Sequence, residues 1–152
     1  MDDTSEVERY LHEHIPLSQH MQVRVISCDA HGVLLSAPLL PNINHRHTMF
    51  GGSASALAIL AGWTWLHMQL KGVVEGNRLV IQSNTMHYLQ PIEDELQAVC
   101  AAPPDVEWQR FVQTLQRRSL ARLTLRVELS SRGKQVGKFE GVYVAIKVER
   151  NS

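Results

Sequence analysis

Stretches with a period of two alternate along this chain with stretches of helical period, and their order predicts an α+β fold. Val7, Tyr10 and Leu11 form one apolar stripe over residues 5–14, Ser5 and Glu8 are spaced as a capping box, and Ile15-Pro16 is a stop. A short N-terminal helix is expected there. Met21, Val23 and Val25 alternate with Gln22 and Arg24, Asp29-Ala30-His31-Gly32 turns, and Val33 to Ala37 returns as a hairpin. Pro38 and Pro41 open a loop that runs to Gly51-Gly52. Ser53 to Leu70 is apolar on every side and uncharged, the pattern of a helix that other elements must wrap. Gly72 and Gly76 break it, and Arg78 to Gln90 and Glu95 to Ala102 read as strands. Pro103-Pro104 introduces a helical insertion over 105–118, with Trp108, Phe111, Val112 and Leu115 on one face and charges that suit its dipole at both ends. Ala121 to Ser130 alternates, Ser131 to Lys134 turns, and Gln135 to Val148 returns. About six strands joined mostly by short turns make an antiparallel sheet, and one long apolar helix calls for a curved sheet wrapped around it.

The length, 152 residues, suits a single domain over 1–152. Fifteen basic residues balance fifteen acidic ones, so bulk charge gives no support for binding nucleic acid or an anionic membrane. The uncharged run from Thr48 to Leu70 spends Gly51, Gly52, Ser53, Ser55, Thr64 and Gln69 on polar or small positions, which suits a buried protein helix rather than a membrane span. Cys28 and Cys100 have no CxxC or metal spacing, and the acidic N-terminus is unlike a signal peptide. A cytoplasmic location is therefore expected. His45-Arg46-His47 and His12-Glu13-His14 have no third ligand nearby, so no metal is expected.

The chemistry is expected in the loop Asn42 to Ser53. Two glycines before a buried helix allow another molecule to approach the backbone closely. Free N–H groups around Gly52 and Ser53, with the helix dipole behind them, meet the requirements for stabilising a thioester oxyanion. The same residues equally serve as a plain turn with Ser53 as the helix cap.

Asn44, followed six positions later by Phe50-Gly51-Gly52 and a long helix, resembles the hotdog-fold thioesterase superfamily, whose pattern approximates Asn-x-x-Gly-x-x-His-Gly-Gly. His47-Thr48-x-Phe50-Gly51-Gly52-Ser53, with Ala61-Gly62-Trp63 and Tyr88-x-x-Pro91, is more similar to the thioesterase-like domain at the C-terminus of YiiD-type proteins. The resemblance covers roughly residues 15–148 and implies a hotdog fold in a homodimer or a dimer of dimers. It further implies an acyl-CoA or acyl-carrier-protein thioester bound near the helix start at the protomer interface. No cofactor is implied beyond coenzyme A as part of the substrate.

By position, the resemblance gives Asn44 the task of orienting water or the thioester carbonyl and the Gly52 N–H a place in the oxyanion hole. Thr48, Phe50 and Gly51 would touch substrate, and Trp63 would shape an acyl tunnel. The chain departs from the pattern with His47 in place of a common glycine, Phe50 in place of histidine, and Ile59 where many relatives carry a helix carboxylate. No Asp or Glu occurs from Ala30 to Val74. His47 is the natural substitute base, because an imidazole near neutral pKa can deprotonate water, and Ser53 is the weaker candidate. Ser83 and Thr85, with Asn84 and His87, are polar residues of the following strand that could reach the site from a partner subunit, and their alternation leaves open which of them point inward. Arg118, in the cluster with Arg117, Arg122 and Arg126, is a candidate for the coenzyme phosphates or an acidic carrier, although a solvated face with cations at a helix end is the better reading of the cluster. A thioester hydrolase is the first expectation and a non-catalytic acyl-thioester binding module the alternative. Hydratase chemistry ranks last, since it needs a carboxylate beside its histidine.

Overall fold

The computed structural model describes residues 3–148. Helix α1 (Thr4–His14) is capped by Asp3, which accepts from the Ser5 N–H at 2.9 Å, rather than by Ser5. Glu8 closes no capping box; its carboxylate accepts from the Val25 N–H at 3.0 Å and ties α1 to the next strand. Pro16 ends α1 but also starts a short α2 (Pro16–His20), at the first helical position, where a missing N–H costs nothing. Strands β1 (Arg24–Asp29) and β2 (Gly32–Ala37) form the expected hairpin, and a 3-10 turn covers Leu40–Asn42.

Helix α3 (Gly51–Leu70) begins two residues earlier than the sequence suggested. β3 (Asn77–Tyr88), β4 (Leu96–Ala101), α4 (Asp105–Arg118), β5 (Leu120–Ser131) and β6 (Lys134–Lys147) follow. All six strands join one antiparallel sheet in the order β1-β2-β4-β5-β6-β3. The chain leaves β2 near one side of the sheet and returns as β3 at the far edge, and α3 makes that crossing over β2, β4, β5, β6 and β3.

The core lies between α3 and the sheet, where Leu57, Ala61 and Trp65 meet Leu35, Leu125 and Tyr143. Gly62 sets the closeness of that packing. A Cβ there would stand 2.4 Å from the Tyr143 hydroxyl, which donates to the Ile59 carbonyl at 2.6 Å. Trp108 of α4 meets Trp65 edge-on with ring centroids 5.3 Å apart, closing another side of α3. The wrapping is nevertheless incomplete. Ala56, Ile59 and Trp63 are only partly covered, and with Gly52 they share one helix face at spacings of three and four.

The two sheet edges differ. α1 packs on β1, whereas β3 has β6 on one side and no strand on the other among the described residues. No described helix is long and apolar enough to cross a membrane.

Candidate functional site

The loop before α3 is fixed at both ends by a residue the sequence reading did not single out. Asn42 is buried, and its amide donates to the carbonyls of Met21 (2.9 Å) and Pro38 (2.8 Å). Its own carbonyl accepts from the Phe50 N–H at 2.8 Å, and the Met49 N–H donates to Ile92 O at 2.8 Å. An asparagine in a proline-rich loop reads as a turn former, so the sequence carried no sign of this buried role.

Between these anchors, Asn44 organises the loop. Its Nδ2 donates to the Thr48 hydroxyl at 2.9 Å and to Met49 O at 3.4 Å. Its Oδ1 accepts from the N–H groups of Arg46 (2.8 Å) and Thr48 (3.2 Å). Both ends of the amide are thus engaged within the loop, and Thr48 is engaged with it. The effect falls on His47, held exposed with φ 62°. That left-handed conformation disfavours most side chains and suits glycine, which accounts for the glycine common at this place in the pattern the loop resembles.

At the start of α3 the capping differs from expectation. Phe50 is the N-cap through its backbone alone, at φ −58° and ψ 130°, with no side-chain cap. Ser53 sits inside the first turn and its N–H already donates to Phe50 O at 3.0 Å, so it is neither the cap nor a free donor. The N–H groups left without a partner among the described residues are those of Gly51 and Gly52. Gly52 is not at a positive φ, and a Cβ there would lie 2.3 Å from the ring of the exposed Phe50, which would have to turn aside. Tyr88 donates from its hydroxyl to the Gly51 carbonyl at 2.9 Å and joins the helix start to the end of β3.

The exposed stripe of α3 leads away from these two N–H groups. Between α2 and α3 lies an open cavity of about 230 Å³ walled by Leu17, Met21, Ala56, Ile59, Leu60 and Trp63. Trp63 is held by a hydrogen bond from Nε1 to Leu79 O (3.1 Å) and is stacked on His67 at 4.7 Å and 9°. The stack continues from His67 to Tyr10 (4.8 Å) and on to His14 (4.1 Å), joining α3 to α1.

Burial pushes the His67 imidazole down to about 4, with the charges of Lys71 and His14 acting in the same direction. Between pH 6.5 and about 4 the unfolded chain takes up a proton that the folded chain rejects, so stability is lost as pH falls through that window. For a half-buried group the loss should be about 1–2 kcal/mol after solvent screening. His67→Phe should flatten that part of the plot of melting temperature against pH. Superimposable wild-type and variant curves would remove His67 from the acid response.

The structure does not bring every expected residue to this place. Ser83 and Thr85 pair with Val142 and Glu140, on the sheet face opposite Phe139 and Tyr143 and therefore away from α3. A bulge at Gln82, between Ile81 and Ser83, resets the alternation, so Asn84 and Met86 are the neighbours that face the helix side. Arg118 is exposed on the last turn of α4, remote in the chain from the loop and not bonded to it. Cys100 is buried, with its thiol pushed up to about 12, and is chemically quiet. No group of three metal-ligating side chains occurs among the described residues.

Comparison with known proteins agrees with this fold. Residues 4–147 match a family model described as "Putative thioesterase (yiiD_Cterm)". A Shewanella oneidensis structure described as a "putative thioesterase" is 31% identical, with TM-score 0.83, covering 94% of this chain and 96% of that one. A Chlorobaculum tepidum protein of unknown function is 28% identical, with TM-score 0.88, covering 95% and 94%. A mutant form of a thioesterase from Pseudomonas aeruginosa, at 14% identity and TM-score 0.77, covers 97% and 96% and shares the fold.

Proposed function

This chain belongs to the YiiD_C family of thioesterase-type domains, and from that premise we propose that it hydrolyses an acyl-CoA or acyl-carrier-protein thioester. The observation that carries the reading is the pair of unpartnered N–H groups of Gly51 and Gly52 at the head of a 20-residue helix, beside an apolar cavity. In the reaction a water oxygen attacks the thioester carbonyl carbon while the imidazole of His47 takes the water proton. The carbonyl oxygen becomes an oxyanion held by the two glycine N–H groups, each such donor contributing on the order of 10²–10³ in rate. The oxyanion then collapses, the C–S bond breaks, and the imidazolium returns its proton to the leaving thiolate. The products are a carboxylic acid and a free thiol.

The proposed working unit is a homodimer. β3 leaves a twelve-residue edge open, with Val80 half exposed, and such an edge is a ready template for a second copy of the same strand. One observation favours the second reading, a non-catalytic binding module: neither α3 nor the loop before it carries a carboxylate.

Purified protein should release thiol from one class in a panel of short, long and aromatic acyl-CoAs, with saturation, in a colorimetric assay. Thermal stabilisation by acyl-CoA without any turnover would transfer the assignment to the binding module. Silence in both would point to an acyl chain presented on a carrier protein, to be tested with acylated carrier.

A further inference from the structure

The first two residues of α3 are both glycine, so the peptide between them is the one place in the helix where neither neighbour has a Cβ to limit rotation. That peptide carries the Gly52 N–H. The other free donor, the Gly51 N–H, belongs to the peptide before it. The earlier peptide is held by the helix itself, since Phe50 O accepts from the N–H groups of Ser53 (3.0 Å) and Ala54 (3.2 Å). The glycine–glycine peptide is braced from outside the helix: the Tyr88 hydroxyl donates to Gly51 O at 2.9 Å. A carbonyl oxygen has two lone pairs, so this bond does not compete with the helical ladder. Tyr88 stands on fixed backbone. It pairs with Gly137 at the end of the β3–β6 ladder, and the N–H groups of Leu89 and Gln90 both donate to Val136 O (2.9 and 3.3 Å). Its ring lies close along the helix start, where a Cβ on Gly51 would stand 3.4 Å from Cε1, Cζ and the hydroxyl oxygen.

We propose that Tyr88 is a positioning residue for thioester hydrolysis: by holding Gly51 O it sets the direction and strength of the Gly52 N–H on the far side of the same peptide. The inference rests on the thioester reading above and deepens it, by naming what aims one of its two oxyanion donors. The link is peptide planarity. In a trans unit the C=O and N–H point in opposite directions and turn together. A hydroxyl fixed on the oxygen therefore fixes the line along which the nitrogen donates. By drawing electron density toward oxygen it also makes the N–H a better donor. The coupling grows as the substrate carbonyl oxygen takes on charge, because an oxyanion on the N–H sends density back to Gly51 O and strengthens the tyrosine bond. Tyr88 should thus act on the transition state more than on substrate binding. Its half-exposed ring needs no contact with substrate to do so.

Tyr88→Phe removes the hydroxyl and keeps the ring. In the full chain it should lower kcat about three- to tenfold, the loss of one ordinary hydrogen bond felt in the transition state, with KM within about twofold and the melting temperature nearly unchanged. Gln90→Ala removes the neighbouring bond to Gln135 O and should alter none of these. Two coenzyme A derivatives that cannot be hydrolysed separate positioning from structural support. A trifluoromethyl ketone, whose hydrate copies the tetrahedral intermediate, should bind Tyr88→Phe more weakly by the same factor as the fall in kcat. An S-alkyl thioether, with no carbonyl, should bind both proteins alike. Unchanged kcat in Tyr88→Phe, or loss of kcat together with thioether affinity and melting temperature, would overturn the proposal and leave the hydrolase reading standing. Wild-type protein that turns over no acyl-CoA yet prefers the ketone, with that preference weakened in Tyr88→Phe, would sink the hydrolase reading while the Tyr88 brace stands. A wild type that holds the ketone no better than the thioether would end both.

Discussion

His47→Gly should lower kcat for thioester hydrolysis by about 10²–10⁴, the range spanned by general acid–base groups, with the melting temperature unchanged or slightly higher. The reason lies in the backbone. His47 sits at φ 62°, where a non-glycine residue is strained by about 1 kcal/mol or more, so glycine removes the imidazole while relieving the loop. Alanine would keep the strain and confuse loss of chemistry with distortion of the loop. KM should move little, because the imidazole is asked to act on water rather than to grip the substrate. Asn44→Ala provides the contrast: it removes four hydrogen bonds that shape residues 44–49, and should depress turnover and melting temperature together. Full activity in His47→Gly would end the general-base assignment and leave the helix-start N–H groups without a known proton acceptor beside them.

Gly62→Ala should destabilise the fold by roughly 2–4 kcal/mol, a fall in melting temperature of about 5–15 °C for a chain of this size. Ordinarily such a change in mid-helix would gain about 1 kcal/mol of helix propensity. Here the new methyl would stand 2.4 Å from the Tyr143 hydroxyl and 2.7 Å from the ring carbon that bears it. Tyr143 is fully buried and bonded to Ile59 O, so it has no empty space to retreat into. Combining Gly62→Ala with Tyr143→Leu separates the causes, since the alanine should then cost little and the two changes should be strongly non-additive. Simple additivity, or a single variant as stable as wild type, would show that α3 can lift from the sheet more freely than its packing implies.

Much of this architecture was legible in the residues. The strands, the three amphipathic or buried helices and the loop before α3 lie where period and turn chemistry put them, within a residue or two, except that β1 starts at Arg24 rather than Met21 because Met21 still caps α2. What escaped has identifiable causes. The start of α3 was misplaced because Phe50 caps it through its backbone and the first two helical residues are glycines, so no side chain announces it. The face of Ser83 and Thr85 could not be read because the bulge at Gln82 reverses the parity half-way along β3. The capping box at Ser5 and Glu8 had the right spacing, but Asp3 was nearer to one donor and β1 offered Glu8 a better one. Asn44 lies in the loop where the residues put it, but nothing in the sequence shows that its amide is spent on the loop itself. The uncovered stripe on α3 was hidden for a different reason: a helix apolar all round gives no sign of which face its neighbours leave bare.

The order of the strands also bears on how the chain is made. β3 spans Asn77–Tyr88, yet its described strand partner is β6, which ends at Lys147. On the ribosome, α3 and β3 emerge some fifty residues before the strand that will receive them, with the apolar helix still lacking part of the sheet it lies on. The nascent chain therefore passes through a long interval as half a sheet with a sticky helix, and no truncation that ends before β6 can give β3 its place. Translation speed and chaperone capture over that interval should therefore affect how much folded protein a cell obtains.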